Sequence, residues 1–279
     1  MILNDILSQK HKDLEELKRR FPLHRLRDAA ENRERSGQRS FLKAVSNAKK
    51  INLICEIKKA SPSEGILRED FQPLRLGSTM EHGGAAALSV LTETHFFKGR
   101  PSYLKTIRQV TSIPILRKDF LFESYQLYET SLLEADAFLL ITSILTDEEL
   151  RDLIVLGQQL GMDALVEIHN DEELKKAVGA GAKIIGINNR DLKTLTVDPS
   201  RAKKLIPHVP KGIPIVVESG LKRHDELMEY KSLGVHSFLI GTTLMKSENI
   251  LEVMGELQGS DRKWRKKSAT ESLADREEV

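Results

Sequence analysis

Eight short apolar segments separated by stretches of helical periodicity predict an α/β fold, a (β/α)8 TIM barrel with an N-terminal helical extension. Three observations carry this expectation. A unit of helix, glycine- or alanine-containing stop and apolar strand recurs from about residue 50 to 245. The repeat length of roughly 25 residues matches one unit of a closed barrel. The chain length of 279 residues suits such a barrel as one domain. A doubly wound sheet shows the same alternation, but eight regular units favour closure.

The elements follow in order. Ile2, Leu3, Ile6, Leu7, Leu14 and Leu17 form a helical stripe that Pro22 breaks, and Phe41, Leu42, Val45 and Ala48 mark another helix. This extension, residues 1–50, is expected mainly to cover the barrel; a sharper reading gives it a part in closing the active-site mouth. Strands are expected at 52–58, 86–91, 113–118, 137–141, 163–168, 183–188, 213–218 and 236–241. Helices at 147–160, 171–178 and 224–233 are among those between them, and right-handed crossovers make the strands parallel. Glycines such as Gly84, Gly181 and Gly234 stop helices by taking the left-handed conformation. One domain is expected over 1–260, with 261–279 a charged, flexible tail. The tail's basic run, Arg262-Lys263-Trp264-Arg265-Lys266-Lys267, is read as a solvated helix end rather than a contact for an acidic partner.

Composition excludes several classes of function. A formal charge of +2 argues against bulk nucleic-acid binding, and 5% aromatic residues leave little for base stacking. Cys55, the only cysteine, rules out an intrachain disulfide and a cysteine metal cluster. It faces away from its neighbour Glu56 and is expected to be a buried thiol. His95, His169, His208, His224 and His236 are scattered without ligand spacing, so no metal site is expected. No apolar run reaches membrane-spanning length, and the N-terminus lacks the basic region and cleavage site of a signal peptide. A cytoplasmic protein without membrane contact is the expectation; the oligomeric state stays open, with a monomer favoured.

The chemistry concentrates in Glu56-Ile57-Lys58-Lys59-Ala60-Ser61-Pro62-Ser63-Glu64-Gly65. Residues two apart on a strand point the same way, so Glu56 and Lys58 share a face where the chain turns sharply. Other strands end alike: Lys118 on the third, Glu167 on the fifth, Asn188 and then Arg190 on the sixth, Glu218-Ser219-Gly220 on the seventh. Barrel chemistry sits at the carboxyl ends of the strands. Each side chain alone has an ordinary explanation as a rim ion pair; six of eight strands with a polar group at the same end make a pattern. Ser219, Gly220, Gly241 and Thr242 place small residues and free amides on the last two strands, where barrels bind phosphate. Lys58, Lys118, Glu56 and Glu167 together suit proton transfer with acid and base roles separated. A Schiff-base aldolase or a sugar-phosphate isomerase fits these residues too. A non-catalytic phosphate-ligand sensor fits the cradle but has no use for Lys58, Lys118 and Glu167.

In this order, Glu56-Ile57-Lys58-Lys59-Ala60-Ser61-Pro62-Ser63, Ser89-Val90-Leu91-Thr92-Glu93, Phe97-x-Gly99, Leu116-Arg117-Lys118-Asp119-Phe120, Leu165-Val166-Glu167, Gly186-Ile187-Asn188-Asn189-Arg190-Asp191-Leu192 and Glu218-Ser219-Gly220 resemble the indole-3-glycerol phosphate synthase family over about residues 1 to 255. The resemblance implies a phosphate-binding barrel that converts 1-(2-carboxyphenylamino)-1-deoxyribulose 5-phosphate to indole-3-glycerol phosphate in tryptophan biosynthesis, without cofactor or metal. It implies Lys118 as the general acid of ring closure, Glu167 and Lys58 in the later dehydration, and Glu56 as the carboxylate that orients the lysines. Asn188, Arg190 and Ser61 are implied near the substrate carboxylate and hydroxyls, with Glu218 counted among the substrate contacts. Ser219, Gly220, Gly241 and Thr242, with Lys58 in reach, are implied as the phosphate cradle, and Phe97, Phe120 and Leu192 as the apolar wall. In one place the chain departs from the family pattern: Glu64 stands where a basic residue is common.

Overall fold

The computed structural model describes residues 2–33 and 39–260; the tail at 261–279, with its basic run, lies outside the described residues. Eight parallel strands close into a barrel in chain order: β1 (Asn52–Ile57), β2 (Ala87–Leu91), β3 (Ile115–Lys118), β4 (Ala137–Ile141), β5 (Asp163–Ile168), β6 (Ile185–Asn188), β7 (Ile215–Glu218) and β8 (Ser237–Ile240). Closure is through β1 and β8, with Asn52 opposite Ser237 and Cys55 opposite Ile240. The eight expected strands are therefore present, most of them shorter than expected because the loops take their terminal residues. A two-stranded hairpin, Ala60–Ser61 with Gly65–Ile66, forms where the sequence suggests only a turn.

Side-chain parity along each strand divides the core in two. On β1, Leu53, Cys55 and Ile57 pack outward against the helices, while Ile54 packs inward. The inner cluster joins Ile54, Ala87, Leu116, Leu165, Val216 and Leu239. Two residues further along four of these strands come Glu56, Lys118, Glu167 and Glu218, and these therefore point into the barrel as well. Cys55 is fully buried, and desolvation pushes its thiol well above the ordinary range, so it is an inert core residue.

The outer helices begin and end where their sequences dictate. Helix α7 (Asp147–Gln159) starts at a Thr146/Glu149 capping box, and α8 (Asp171–Gly179) starts under an Asn170 cap. Gly84, Gly181 and Gly234 take left-handed conformations at helix ends, and in the fourth unit Glu134 does so without being glycine.

The N-terminal extension serves both ends of the barrel. Helix α3 (Phe41–Val45) plugs the amino-terminal end, where Phe41 and Val45 join the inner cluster. It is fastened by Leu42 N–H donating to Asp163 Oδ2 at 2.8 Å and by Ser237 Oγ donating to the Val45 carbonyl at 2.6 Å. Helix α1 (Ile2–Arg20) lies across the opposite, carboxyl-terminal end, and its Leu3 and Ile6 also join the inner cluster. The extension thus covers the barrel at both ends, α3 at the amino-terminal end and α1 at the carboxyl-terminal end. Helix α2 (Leu23–Glu31) packs beside α6 (Ser124–Leu132).

One buried network ties α1 to the rim. Lys10 Nζ lies 2.8 Å from Asp119 Oδ1, and Asp119 also meets Arg117 at 3.2 Å and the Thr92 hydroxyl at 2.6 Å. Burial alone would raise the Asp119 carboxyl, but Lys10 and then Arg117 outweigh it and hold it down to about 2. A depressed carboxyl stabilises the fold above its unfolded pKa and loses that contribution as pH falls through its folded value, here about 2. Replacing Lys10 by Met should cost about 2 kcal/mol, less than the about 3–5 kcal/mol for stripping one partner from a buried ion pair, because Arg117 and Thr92 remain on Asp119. Urea unfolding of both proteins measures this difference, and an unchanged midpoint would remove the anchor.

Candidate active site

The carboxyl-terminal end of the barrel holds a cavity of about 770 Å³. Glu56, Lys58, Ser61, Phe97, Lys118, Phe120, Glu167, Asn188, Arg190, Leu192, Glu218, Ser219, Gly220, Gly241 and Thr242 all line it. Every candidate residue read from the sequence is thus brought to one place. The cavity also takes in Ile2, Leu3 and Ile6 from α1, which the sequence places in a packing stripe without indicating the site.

At the floor of the cavity, Lys118 Nζ sits 3.3 Å from both Glu167 Oε2 and Glu218 Oε2. The two carboxylates are essentially buried, with side chains 1% and 2% exposed, while Lys118 keeps 14%. Burial would lower the Lys118 ammonium, but Glu218, Glu167 and Glu56 outweigh it and hold it well above the usual lysine range. Burial also works on the two acids, and their neighbours then separate them. Lys118 first and His169 next pull Glu167 down, whereas burial and the nearby Glu167 and Glu56 push Glu218 up in spite of Lys118. Glu218 Oε1 has no hydrogen-bond partner.

A second pair stands beside the first. Lys58 Nζ meets Glu56 Oε2 at 2.7 Å, which follows from their spacing along β1 and just past it. Asn188 Nδ2 donates to Glu167 Oε1 at 3.1 Å, and its Oδ1 accepts from Arg190 N–H at 3.0 Å, so one amide couples β6 to β5 and to its own loop. The Arg190 guanidinium donates to the Leu195 carbonyl at 2.8 Å and lies 3.8 Å from Glu64.

Two glycines make room for the acids. A Cβ on Gly241 would stand 2.1 Å from Glu56 Oε2, and one on Gly186 would stand 2.5 Å from Glu218 Oε1. The sequence suggests Gly241 only as part of an anion cradle; its closest contact in the fold is with a carboxylate. The residues expected to form that cradle include a consecutive left-handed pair, Ser219 at φ 66° and Gly220 at φ 79°, and the start of α11 (Thr242–Met245), a single turn that begins after Gly241; Ser219, Gly220, Gly241 and Thr242 line the same cavity. With so short a helix, the donors available to an anion are individual amides rather than a summed dipole.

The apolar side of the cavity is built by Phe97 and Phe120, ring centroids 6.2 Å apart and tilted by 41°, with Leu192 packed against the same cluster. Phe97 is held by Glu93, a buried carboxylate that accepts from the backbone N–H groups of His95, Phe96 and Phe97 at 2.9, 2.7 and 2.9 Å. The sequence shows Glu93 within a motif but not this task. His169 is the other residue missed. It has no metal-ligand spacing, but the fold sets it between Glu167 and Glu173. Among the described residues, no cluster that could hold a metal ion is found, and no helix is long and apolar enough to cross a membrane.

The comparisons with known proteins agree with each other. The sequence model of indole-3-glycerol phosphate synthase matches residues 3–257. An indole-3-glycerol phosphate synthase of Campylobacter jejuni subsp. doylei is 46% identical over 251 residues, spanning 89% of this chain and 96% of its own. The enzyme of that description from Acetivibrio thermocellus is 42% identical over 258 residues, spanning 92% and 99%. Among solved structures, a thiamine phosphate pyrophosphorylase from Pyrococcus furiosus superposes with a TM-score of 0.56 at 18% identity, over 76% of this chain and 96% of that one. A 3-hexulose-6-phosphate synthase superposes with a TM-score of 0.59 at 14% identity, over 75% and 99%. At these identities the structural likeness concerns the fold alone.

The close approach at Gly241 yields a test. Gly241→Ala should push Glu56 off Lys58, lowering kcat at least about tenfold and stability by about 1–3 kcal/mol. Steady-state kinetics with a thermal melt measure both, and a variant like wild type would show that the Glu56 position is not required.

Proposed function

The chain belongs to the indole-3-glycerol phosphate synthase family, and we propose that Lys118, set between Glu167 and Glu218, is the acid of its ring-closing step. The activity is that of the family: a carboxy-lyase reaction on a phosphorylated sugar-anthranilate substrate, yielding indole-3-glycerol phosphate in tryptophan biosynthesis.

The phosphate is taken by the amides of Ser219, Gly220, Gly241 and Thr242, within reach of Lys58. Anchoring that end restrains an open-chain sugar so that its ketone carbon meets the ring carbon. Phe97, Phe120 and Leu192 hold the anthranilate ring, while Arg190, Asn188 and Ser61 take the carboxylate and hydroxyls. As the carbon–carbon bond forms, charge develops on the ketone oxygen, and the Lys118 ammonium neutralises it and delivers the proton. Carbon dioxide then leaves, and its bond electrons restore the aromatic ring. Loss of the hydroxyl as water completes the pyrrole, with Glu167 and Lys58 moving the protons and Glu56 holding Lys58 in line. Glu218 carries no assigned proton transfer beyond its contacts with Lys118 and the substrate.

The observation that carries this reading is the placement of Lys118 Nζ 3.3 Å from both Glu167 and Glu218. Acid partners at that distance favour the ammonium, which suits a proton donor and opposes a Schiff-base nucleophile, whose amine must be neutral to attack. The groups named come from one chain, so a monomer acting as a single unit over residues 1–260 suffices for the reaction; a cytoplasmic setting goes with a phosphorylated metabolite as substrate.

Lys118→Ala should retain binding of a substrate analogue while turnover falls at least about a hundredfold, read by the fluorescence of the indole product. Near-normal turnover, or covalent trapping of Lys118 by borohydride with a ketose phosphate, would remove it from this role. Thr242→Asp should raise KM by placing like charge beside the phosphate. An unchanged KM would move the phosphate site elsewhere.

A further inference from the structure

His169 follows Glu167 by two positions at the end of β5, so both side chains lean to the same side of the sheet. Its ring bridges two acids. Nδ1 lies 3.2 Å from Glu173 Oε2, in the first turn of α8, and Nε2 lies 3.4 Å from Glu167 Oε1. Glu173 is itself fixed: it accepts from His169 N–H at 2.8 Å and from Asn170 Nδ2 at 3.1 Å. The Nε2 contact is long, off the best hydrogen-bonding line, and Nε2 has no other partner. It therefore acts on Glu167 as charge and as wall more than as a tight hydrogen bond.

Glu167 meets the rest of the site through its two oxygens. Oε2 faces Lys118, and Oε1 is held by Asn188 and His169. We infer that His169 is a positioning residue for the reaction, a ring clamped by Glu173 that fixes the Oε1 edge of Glu167 so that Oε2 stays on Lys118 and the cavity. The inference rests on Glu167 being catalytic as proposed above.

The charges around the pair are few. Glu167 faces Lys118 on β3 and Glu218 on β7, with Glu56 on β1 acting on both of these, and His169 itself. His169 faces Glu167 and Glu173. Lys176, the basic residue one turn along α8 from Glu173, is directed to the Thr142 and Leu145 carbonyls and to Asp147. The 3-10 turn Thr142–Ile144, packed against both β5 and α8, contributes no charge; its Thr142 hydroxyl donates to the Glu167 carbonyl at 2.7 Å. Burial would lower the imidazole, but the contacts with Glu167 and Glu173 outweigh it and push it up to about 9. Deprotonation has a geometric consequence. With Nδ1–H committed to Glu173, the neutral ring turns the Nε2 lone pair toward the Glu167 carboxylate, and attraction becomes repulsion.

The test is the pH dependence of kcat and KM from about pH 6 to about 10 for wild type, His169→Ala, His169→Gln and Glu173→Gln. The wild type should lose kcat as pH rises through about 9. His169→Ala should lower kcat about tenfold at neutral pH with KM changed less than about twofold. His169→Gln, whose amide offers a neutral donor near the Nε2 position, should recover most of that loss and lack the alkaline decline. Glu173→Gln leaves the ring without its clamp and should move the decline to lower pH; it keeps the inference testable if His169→Ala does not fold. A His169→Ala kcat within about twofold of wild type would overturn it, as would an unchanged alkaline decline in His169→Gln or in Glu173→Gln. Glu167→Gln separates the two claims. If it keeps turnover, the role of Glu167 falls and the inference with it; if it is inactive while the His169 variants match wild type, the inference alone falls.

Discussion

An ammonium inside a barrel is the constraint on which this site depends. Lys118 sits where three acids, Glu56, Glu167 and Glu218, converge, and none of the four groups is tolerable there alone, since an unpaired buried charge costs several kcal/mol. The charges are nonetheless unevenly placed. Against the three carboxylates stand Lys118, Lys58 paired with Glu56, and His169 at the edge of Glu167. The placement separates the acids: Glu167, beside two cations, is driven to the charged form, and Glu218, beside one cation and two acids, is driven toward the neutral form. Two carboxyls on the same lysine thus have different proton affinities, the condition for one site to give and accept protons in turn.

That polar layer exists because the apolar layer beneath it is closed. Along β1, β3, β5 and β7 the inward residues are Ile54, Leu116, Leu165 and Val216, and two positions later Glu56, Lys118, Glu167 and Glu218. The lower set is sealed by Phe41 and Val45 of α3, which excludes water from below. The upper set opens to the cavity, roofed in part by Ile2, Leu3 and Ile6 of α1. Access to solvent is thereby limited to one side, and the electrostatic interactions inside gain strength from the lowered dielectric. The Lys10–Asp119 contact fastens α1 to the residue that follows Lys118, so the roof and Lys118 share one anchor.

Much of this was legible in the sequence because period-two alternation survives without knowledge of neighbours. Glu56-x-Lys58, the terminal Lys118 and Glu167 and the Glu218-Ser219-Gly220 turn announce which end of each strand is polar, and barrel closure then brings them together. What was not legible depends on contacts across elements. His169 lacks any motif, and only the start of α8 gives it a partner in Glu173. Glu93 reads as one more acid, although its role is to gather three backbone amides that position Phe97. Ile2, Leu3 and Ile6 show a helical stripe, but a stripe does not say whether it covers a floor or a mouth. The hairpin after β1 escaped notice because two-residue strands carry no periodicity to read.

Glu64 shows how a carboxylate at the mouth is absorbed. It stands at the tip of that hairpin, between Ser61 and Gly65, and a bare carboxylate there would repel a substrate anion. It is not bare: Lys246, just past α11, contacts it directly, and Arg190 lies 3.8 Å away. The Lys246 hydrogen bond, ahead of burial, holds the Glu64 carboxyl below its usual range, so the group is charged and matched by cations on two other loops. The phosphate cradle proposed beside it would draw its donors from main-chain amides at Ser219, Gly220, Gly241 and Thr242, whose presence does not depend on side-chain charge. Glu64 therefore serves the rim as an ion-paired link between three loops, and it leaves the central pairing of Lys118 with Glu167 and Glu218 untouched.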